Sequence, residues 1–144
     1  MSYLLDTNIV SELRRAQPEP RVLEFIAATS LDDLYLSDVT MAEIRFGIER
    51  VSDPLKRAEI ASWLDHVLRP MFGQRVLPIA EDVILRWRLM VEAGRQRNHT
   101  YSQPDLFIAA TASVHGLTVV TRNTADFSGT GVALLDPWRE RQAC

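Results

Sequence analysis

Short apolar runs alternate along this chain with stretches whose apolar residues recur at helical spacing. Residues 3–5 read as a first strand. Asn8 is placed to cap a helix over residues 9–14, with Ile9, Val10 and Leu13 on one side. Pro20 suits the start of a second short helix through Val22, Phe25 and Ile26. Residues 34–36 read as a second strand. A helix is predicted over 40–50, where Met41, Ile44, Ile48 and Val51 keep the helical interval. Asp53-Pro54 opens another, with Ile60, Trp63, Leu64, Val67, Leu68 and Met71 as its buried face. A third strand over 76–79 contains Pro78, which points to an edge position. A long helix over 81–96 turns Val83, Ile84, Trp87 and Val91 inward. After a polar loop, a helix over 104–115 ends at Gly116. Residues 118–121 and 132–135 complete a set of five strand candidates.

Strands alternating with helices predict an α/β fold, with a central parallel sheet covered on both faces. No repeat, linker or low-complexity tract interrupts the 144 residues, so one domain over 1–144 is expected, with its core at about 3–138. Hydrophobic residues make up 47% and charged residues 24%, the balance of an ordinary globular chain. Cys144 is the only cysteine, which rules out an internal disulfide and fits a reducing compartment. The first residues lack a basic, apolar signal-peptide pattern, and no run is long enough to span a membrane. A cytoplasmic protein is expected. The net charge of −3 argues against a generic nucleic-acid coat, but a metal ion can neutralise a local acidic site.

In open parallel sheets, ligands bind beyond the carboxyl ends of the strands, where strand order reverses. Asp6 follows the first strand, Glu43 falls in the first turn of the helix after the second, Asp105 opens its own helix, and Asp126 follows the fourth strand. Each has a plain local explanation. Thr40 and Glu43 have the spacing of a capping box, Asp105 suits a helix dipole, Asp6 can cap a turn, and Asp126 can make an Asx turn. Taken together they predict a shared site. Carboxylates gathered there would repel and take up protons unless a hard divalent cation such as magnesium joined them. A water activated by that ion could attack a phosphodiester in line.

At these residues the chain resembles PIN-domain ribonucleases, in particular the VapC and FitB branch of toxins from type II toxin–antitoxin pairs. Leu4-Leu5-Asp6-Thr7-Asn8-Ile9-Val10-Ser11-Glu12-Leu13 is similar to the family's first motif, and Leu36-Ser37-Asp38-Val39-Thr40-Met41-Ala42-Glu43-Ile44 to its second. Asp105-Leu106-Phe107-Ile108-Ala109-Ala110-Thr111-Ala112 is similar to the third, and Thr121-Arg122-Asn123-Thr124-Ala125-Asp126-Phe127 to the fourth. The resemblance implies a three-layer α/β/α fold and an Mg2+- or Mn2+-dependent endoribonuclease. Its catalytic and metal-binding acids would be Asp6, Glu43, Asp105 and Asp126, with Asp6 and Asp105 in most direct contact. It also implies a homodimer held in check by a cognate antitoxin that binds DNA. Ser102-Gln103-Pro104 departs from the apolar residues more usual before the third acid.

Thr7, Asn8, Thr121 and Asn123 are candidates to orient waters or a phosphate, against a simpler role as caps and turns. Arg14, Arg45 and Arg122 are candidates to neutralise RNA phosphates. His66, His99 and His115 have no ligand spacing, and Trp63, Trp87 and Trp138 read as core or interface anchors rather than base-stacking platforms. The exposed helical residues between Leu55 and Met71 are candidates for the dimer contact. A catalytically silent binding module is the main rival, and the full set of acids weighs against it. A phosphoaspartate receiver would want a lysine after a late strand, but Lys56 is the only lysine and sits in a helical segment. A dinucleotide enzyme would need a glycine-rich turn after the first strand, which Asp6-Thr7-Asn8-Ile9 does not provide.

Overall fold

The computed structural model describes residues 1–139, so Cys144 and the end of the expected 1–144 domain lie outside the described residues. Strands β1 (Tyr3–Leu5), β2 (Leu34–Ser37), β3 (Val76–Leu77), β4 (Thr118–Val120) and β5 (Leu134–Leu135) alternate with helices α1 (Thr7–Leu13), α2 (Pro20–Ala28), α3 (Asp38–Glu49), α4 (Pro54–Trp63), α5 (Arg69–Phe72), α6 (Glu81–Gln96) and α7 (Gln103–His115). The sheet is parallel, in the order β3-β2-β1-β4-β5. β1 is therefore central, and the order reverses across the β1–β4 pair.

The alternation of side chains along a strand explains the three layers. Leu5 and Val120 turn to one face, with Leu34 and Leu36, and pack under Val10, Phe25, Leu64 and Phe72. Leu4 and Val119 turn to the other, under Val83, Met90, Leu106 and Ala109. Leu4, Leu36 and Val119 are fully buried, as expected of strands covered on both sides. β3 stands at the edge as Pro78 suggested, but it ends at Leu77, before the proline. β4 and β5 are also shorter than expected.

Two caps differ from the sequence reading. Asp6, not Asn8, caps α1, and its carboxylate accepts the Thr7 amide. Ser37, not Thr40, caps α3: β2 runs straight into the helix, and the Ser37 hydroxyl accepts the Thr40 amide. α3 thus begins at Asp38, so Glu43 sits in its second turn rather than its first. The buried face of the α4–α5 region also differs. A π-helical stretch, Leu64–Leu68, joins the two helices and rotates the apolar stripe. Leu64, Leu68 and Phe72 are buried, whereas Val67 and Met71 are 45% and 44% exposed. On α6, Val83 and Met90 face the core, and Ile84, about a hundred degrees round the helix from Val83, is exposed. Pro104 is accommodated in the first turn of α7, which Ser102 caps.

The Ser37 cap orients the helix that carries Glu43. Replacing Ser37 by alanine should cost about 1 kcal/mol, and so lower the thermal midpoint by about 2–4 °C. An unchanged melting curve would show that the Thr40 amide finds another partner.

Candidate active site

The three chain segments that leave the central strands meet at the carboxyl end of the sheet. Asp6 follows β1 directly, and its amide donates to the Val120 carbonyl of β4. Thr121 follows β4, and its amide donates to the Leu135 carbonyl of β5. The parallel register therefore sets Asp6 beside Thr121. The Thr121 hydroxyl donates to Asp6 Oδ2 at 2.8 Å, and the Thr7 amide donates to Oδ1 at 2.8 Å. The Asn8 side-chain amide donates to Oδ2 at 3.3 Å and to the Thr121 hydroxyl at 3.1 Å, while its carbonyl accepts the Arg122 amide at 3.2 Å. The Asn123 amide closes the network on the Thr121 hydroxyl at 3.0 Å. Asn8 is therefore a tie between Asp6 and the β4 loop, and Thr7 reaches Thr40 on α3 through its hydroxyl.

Asp6, Glu43 and Asp105 line one cleft of about 600 Å³, together with Thr7, Asn8, Arg122 and Asn123. Asp105 is held by Ser102, whose hydroxyl donates to Oδ2 at 2.6 Å and accepts the Asp105 amide. Asp126 sits on a 3-10 turn, Thr124–Phe127; it does not line the cleft, but its charge acts on Asp6. Thr121 also lies behind the surface, fully buried. Of the arginine candidates, only Arg122 reaches the cleft. Arg14 lines the adjoining groove with its guanidinium over the Trp63 ring, and Arg45 is exposed on α3 and lines neither.

The family is decided by the match of residues 3–132 to the PIN domain. This chain belongs to the PIN-domain family. It is 36% identical to Toxin FitB of Neisseria gonorrhoeae over 137 residues, covering 95% of this chain and 99% of that one. It is 35% identical to VapC ribonuclease Y4jK of Sinorhizobium fredii, covering 94% and 96%. The crystal structure of FitAcB from Neisseria gonorrhoeae superposes with a TM-score of 0.91 at 36% identity, covering 96% of this chain and 99% of its match. The parallel sheet covered on both faces that the alternation predicts, and the three-layer fold that the resemblance implies, are those of this structure.

Within this PIN domain, Asp6 is an acid whose carboxyl is raised. Burial pushes its carboxyl above the ordinary value of 3.8; the Thr121 hydroxyl and the Thr7 amide pull it back, and the charges of Asp105 and Asp126 push it up again. A carboxylate offers about four lone-pair positions, and three protein donors use three on Asp6, leaving one turned to other uses. The donor set is all oxygen, which suits a hard divalent cation and not a thiolate-seeking one. Among the described residues, no three acidic or histidine side chains form a complete cage as they stand. A cation that keeps several waters and takes one or two carboxylates directly fits such spacing.

The sequence reading gave no site role to several cleft residues of this PIN domain, among them Glu12, Arg15, Ser102 and Trp138, the last read as a core or interface anchor. Glu12 is buried, accepts the Glu19 amide and pairs with Arg15 at 3.3 Å; the amide and the arginine hold its carboxyl below the usual range. The three-residue interval between Glu12 and Arg15, and that between Ser102 and Asp105, were the available signals.

A second device sets the Asp126 loop. The Tyr101 hydroxyl donates to the Ser128 carbonyl at 2.9 Å, and Arg97 donates to the Tyr101 oxygen at 2.8 Å and to the Gly129 carbonyl at 3.3 Å. Gly129 has φ +84°, and a Cβ there would lie 2.5 Å from Arg97 Nη1 and 2.9 Å from the Tyr101 oxygen. The end of α6 is thus tied to the loop that follows Asp126.

Two outcomes follow for the site. Because the folded value of Asp6 is raised, its ionised form opposes folding; this cost is absent below the unfolded value near 3.8 and complete above the raised folded value. The thermal midpoint of Asp6→Asn, relative to the parent, should therefore climb by about 2–4 °C between pH 4 and pH 8. A difference that stays flat with pH would mean that the buried charge carries no cost. Gly129→Ala, which forces a side chain into the left-handed region against Arg97, should lose about 2 kcal/mol in denaturant unfolding. A loss under a few tenths would mean that the Arg97–Tyr101 clamp is slack.

Proposed function

We propose that this PIN domain is a metal-dependent endoribonuclease that serves as the toxin of a type II toxin–antitoxin pair. The observation that carries the reading is the Asp6 carboxylate: buried, raised by burial and by its acidic neighbours, and held by three donors beside a cleft shared with Glu43 and Asp105. A fold does not keep such a group for stability, since an uncompensated buried charge costs free energy. The ribonuclease name of one relative and the toxin name of another point the same way. The intact acid set also weighs against a silent binding module.

Asp6 and Asp105 would hold Mg2+ or Mn2+ most directly, with Glu43 and Asp126 completing the set through water. When bound, the ion supplies a Lewis acid that lowers the pKa of water and offsets phosphate charge. The chain's own residues orient what enters. The Asn8 and Thr121 donors fix the Asp6 rotamer, and Ser102 fixes Asp105. Arg122, at the cleft, is placed to meet an RNA phosphate, and Thr7 and Asn123 to hold waters.

The partner readings belong to the same proposal. A solved structure titled FitAB bound to IR36 DNA fragment matches this chain with a TM-score of 0.90 at 34% identity. A cognate DNA-binding antitoxin is the natural occupant of the apolar groove lined by Val10, Ile44, Ile48, Ile60 and Trp63. That groove shares Thr7, Ser11 and Glu43 with the acid cleft, so an occupant there would obstruct both. Homodimerisation would cover exposed apolar side chains: Leu55, Val67 and Met71 in the region the sequence suggested, and Ile84, Leu85 and Leu89 on α6. The chain would act as one domain in the cytoplasm; among the described residues no helix is long and apolar enough to cross a membrane.

The test is cleavage by the purified chain, free of any partner, of a structured RNA with magnesium, manganese or chelator. Cleavage should need the divalent ion, and Asp6→Asn and Asp105→Asn should each lower the rate by at least about a hundredfold. Cleavage that persists in chelator, or in both variants, would sink the metal mechanism.

A further inference from the structure

The acid cleft has a second wall that its carboxylates do not explain. Trp138, Arg122 and the Glu12–Arg15 pair line it beside Asp6, Glu43 and Asp105. Trp138 is held in place from several directions. The buried Asp136 carboxylate accepts its amide at 2.9 Å, and Arg21 donates to its carbonyl at 2.6 Å. Its ring is only partly buried against the core, and the Arg122 guanidinium lies 5.2 Å from the ring centre. Arg122 is in turn tied to the acids, because its amide donates to Asn8, which holds Asp6. An indole and a guanidinium thus stand at a fixed offset from the carboxylates, on the wall of a space of about 600 Å³.

Arg15 spends its charge on Glu12 at 3.3 Å, whereas Arg122 is in no ion pair among the described residues. Trp63 also carries an arginine over its ring, but in a largely apolar groove; Trp138 combines the cation with a place in the polar acid cleft. A guanidinium lying over an indole presents a planar cation on which a nucleobase stacks, and such a surface accepts any base. A paired base cannot use it, since an A-form duplex keeps its bases stacked inside and presents a shallow groove.

We propose that Trp138 and Arg122 form a stacking platform for an unpaired RNA base adjacent to the phosphate that enters the acid cleft. This rests on the ribonuclease reading above and names the side chains that would hold the base. Trp138 and Arg122 are substrate-positioning residues, not members of the acid set.

The test uses the full chain blocked in cleavage by Asp105→Asn, with magnesium present. The probe is a short single-stranded RNA carrying 2-aminopurine at successive positions, alone or annealed to its complement. One position should be quenched on binding. Adding Trp138→Ala should abolish that quenching and weaken single-strand binding about tenfold or more, with duplex binding unchanged and Trp138→Tyr restoring affinity to within about threefold. Should Trp138→Ala fail to fold, Trp138→Leu carries the test, with the quenching lost and a several-fold loss of affinity expected for the single strand alone. Absence of quenching at every position overturns the platform, as does unchanged affinity in the folded variant, an equal loss for single strand and duplex, or a loss that tyrosine does not restore. The readout needs no cleavage. A chain that quenches the probe but never cuts RNA would fail the nuclease reading and keep the platform, and one that cuts while Trp138→Ala binds normally would do the opposite.

Discussion

One hydrogen-bonded pair organises this molecule: the Asp6 carboxylate just after the central strand and the Thr121 hydroxyl just after its neighbour, 2.8 Å apart and buried. Everything at the carboxyl end of the sheet is positioned from it. The Asp6 amide continues the β1–β4 ladder, its carboxylate starts α1, and the same oxygen takes the Asn8 amide that anchors Arg122. The other acids are set by separate devices: α3 carries Glu43 out from a serine-capped first turn, Ser102 pins Asp105, and the Arg97–Tyr101 clamp sets the Asp126 loop.

The electrostatic economy of the cleft is uneven. Asp6 is paired with donors and yet held above its ordinary value, because burial outweighs the hydrogen bonds. Glu12, close by, is held below its ordinary value by a backbone amide and an arginine. Two carboxylates at opposite ends of one short helix are thus shifted in opposite directions. That separation follows from where their donors come from. Glu12 gains a cation from the next turn, and Asp6 has only neutral donors and acidic neighbours.

Much of the fold was legible because it depends on local periodicity. The strands that became β1, β2 and β4 are apolar runs with no helical interval, and α6 and α7 announce themselves by spacing and by Gly116. What the sequence concealed depends on register and on partners distant along the chain. Nothing local distinguishes Ser37 from Thr40 as a cap; the choice is made by β2 running directly into α3. The π-helical stretch that exposes Val67 and Met71 leaves an ordinary helical interval in the sequence. Asp6, Glu43 and Asp126 were singled out by their place after strands and Asp105 by its place at a helix start; Asp6, Glu43 and Asp105 line one cleft, with Asp126 set to the side. Glu12 and Trp138 were passed over because a charge on a short helix and a tryptophan near a chain end look ordinary until the fold brings them together.

The Asp6–Thr121 bond also spans 115 positions of sequence. A chain made from its amino end presents Asp6 well before Thr121. Until β4 docks, Asp6 has neither its ladder partner nor its buried donor, and the cleft has one wall. The site therefore cannot assemble before β4 is made, and a fragment interrupted ahead of β4 is built without it. The topology acts as a delay, with the assembled cleft deferred until the distant strand has been translated.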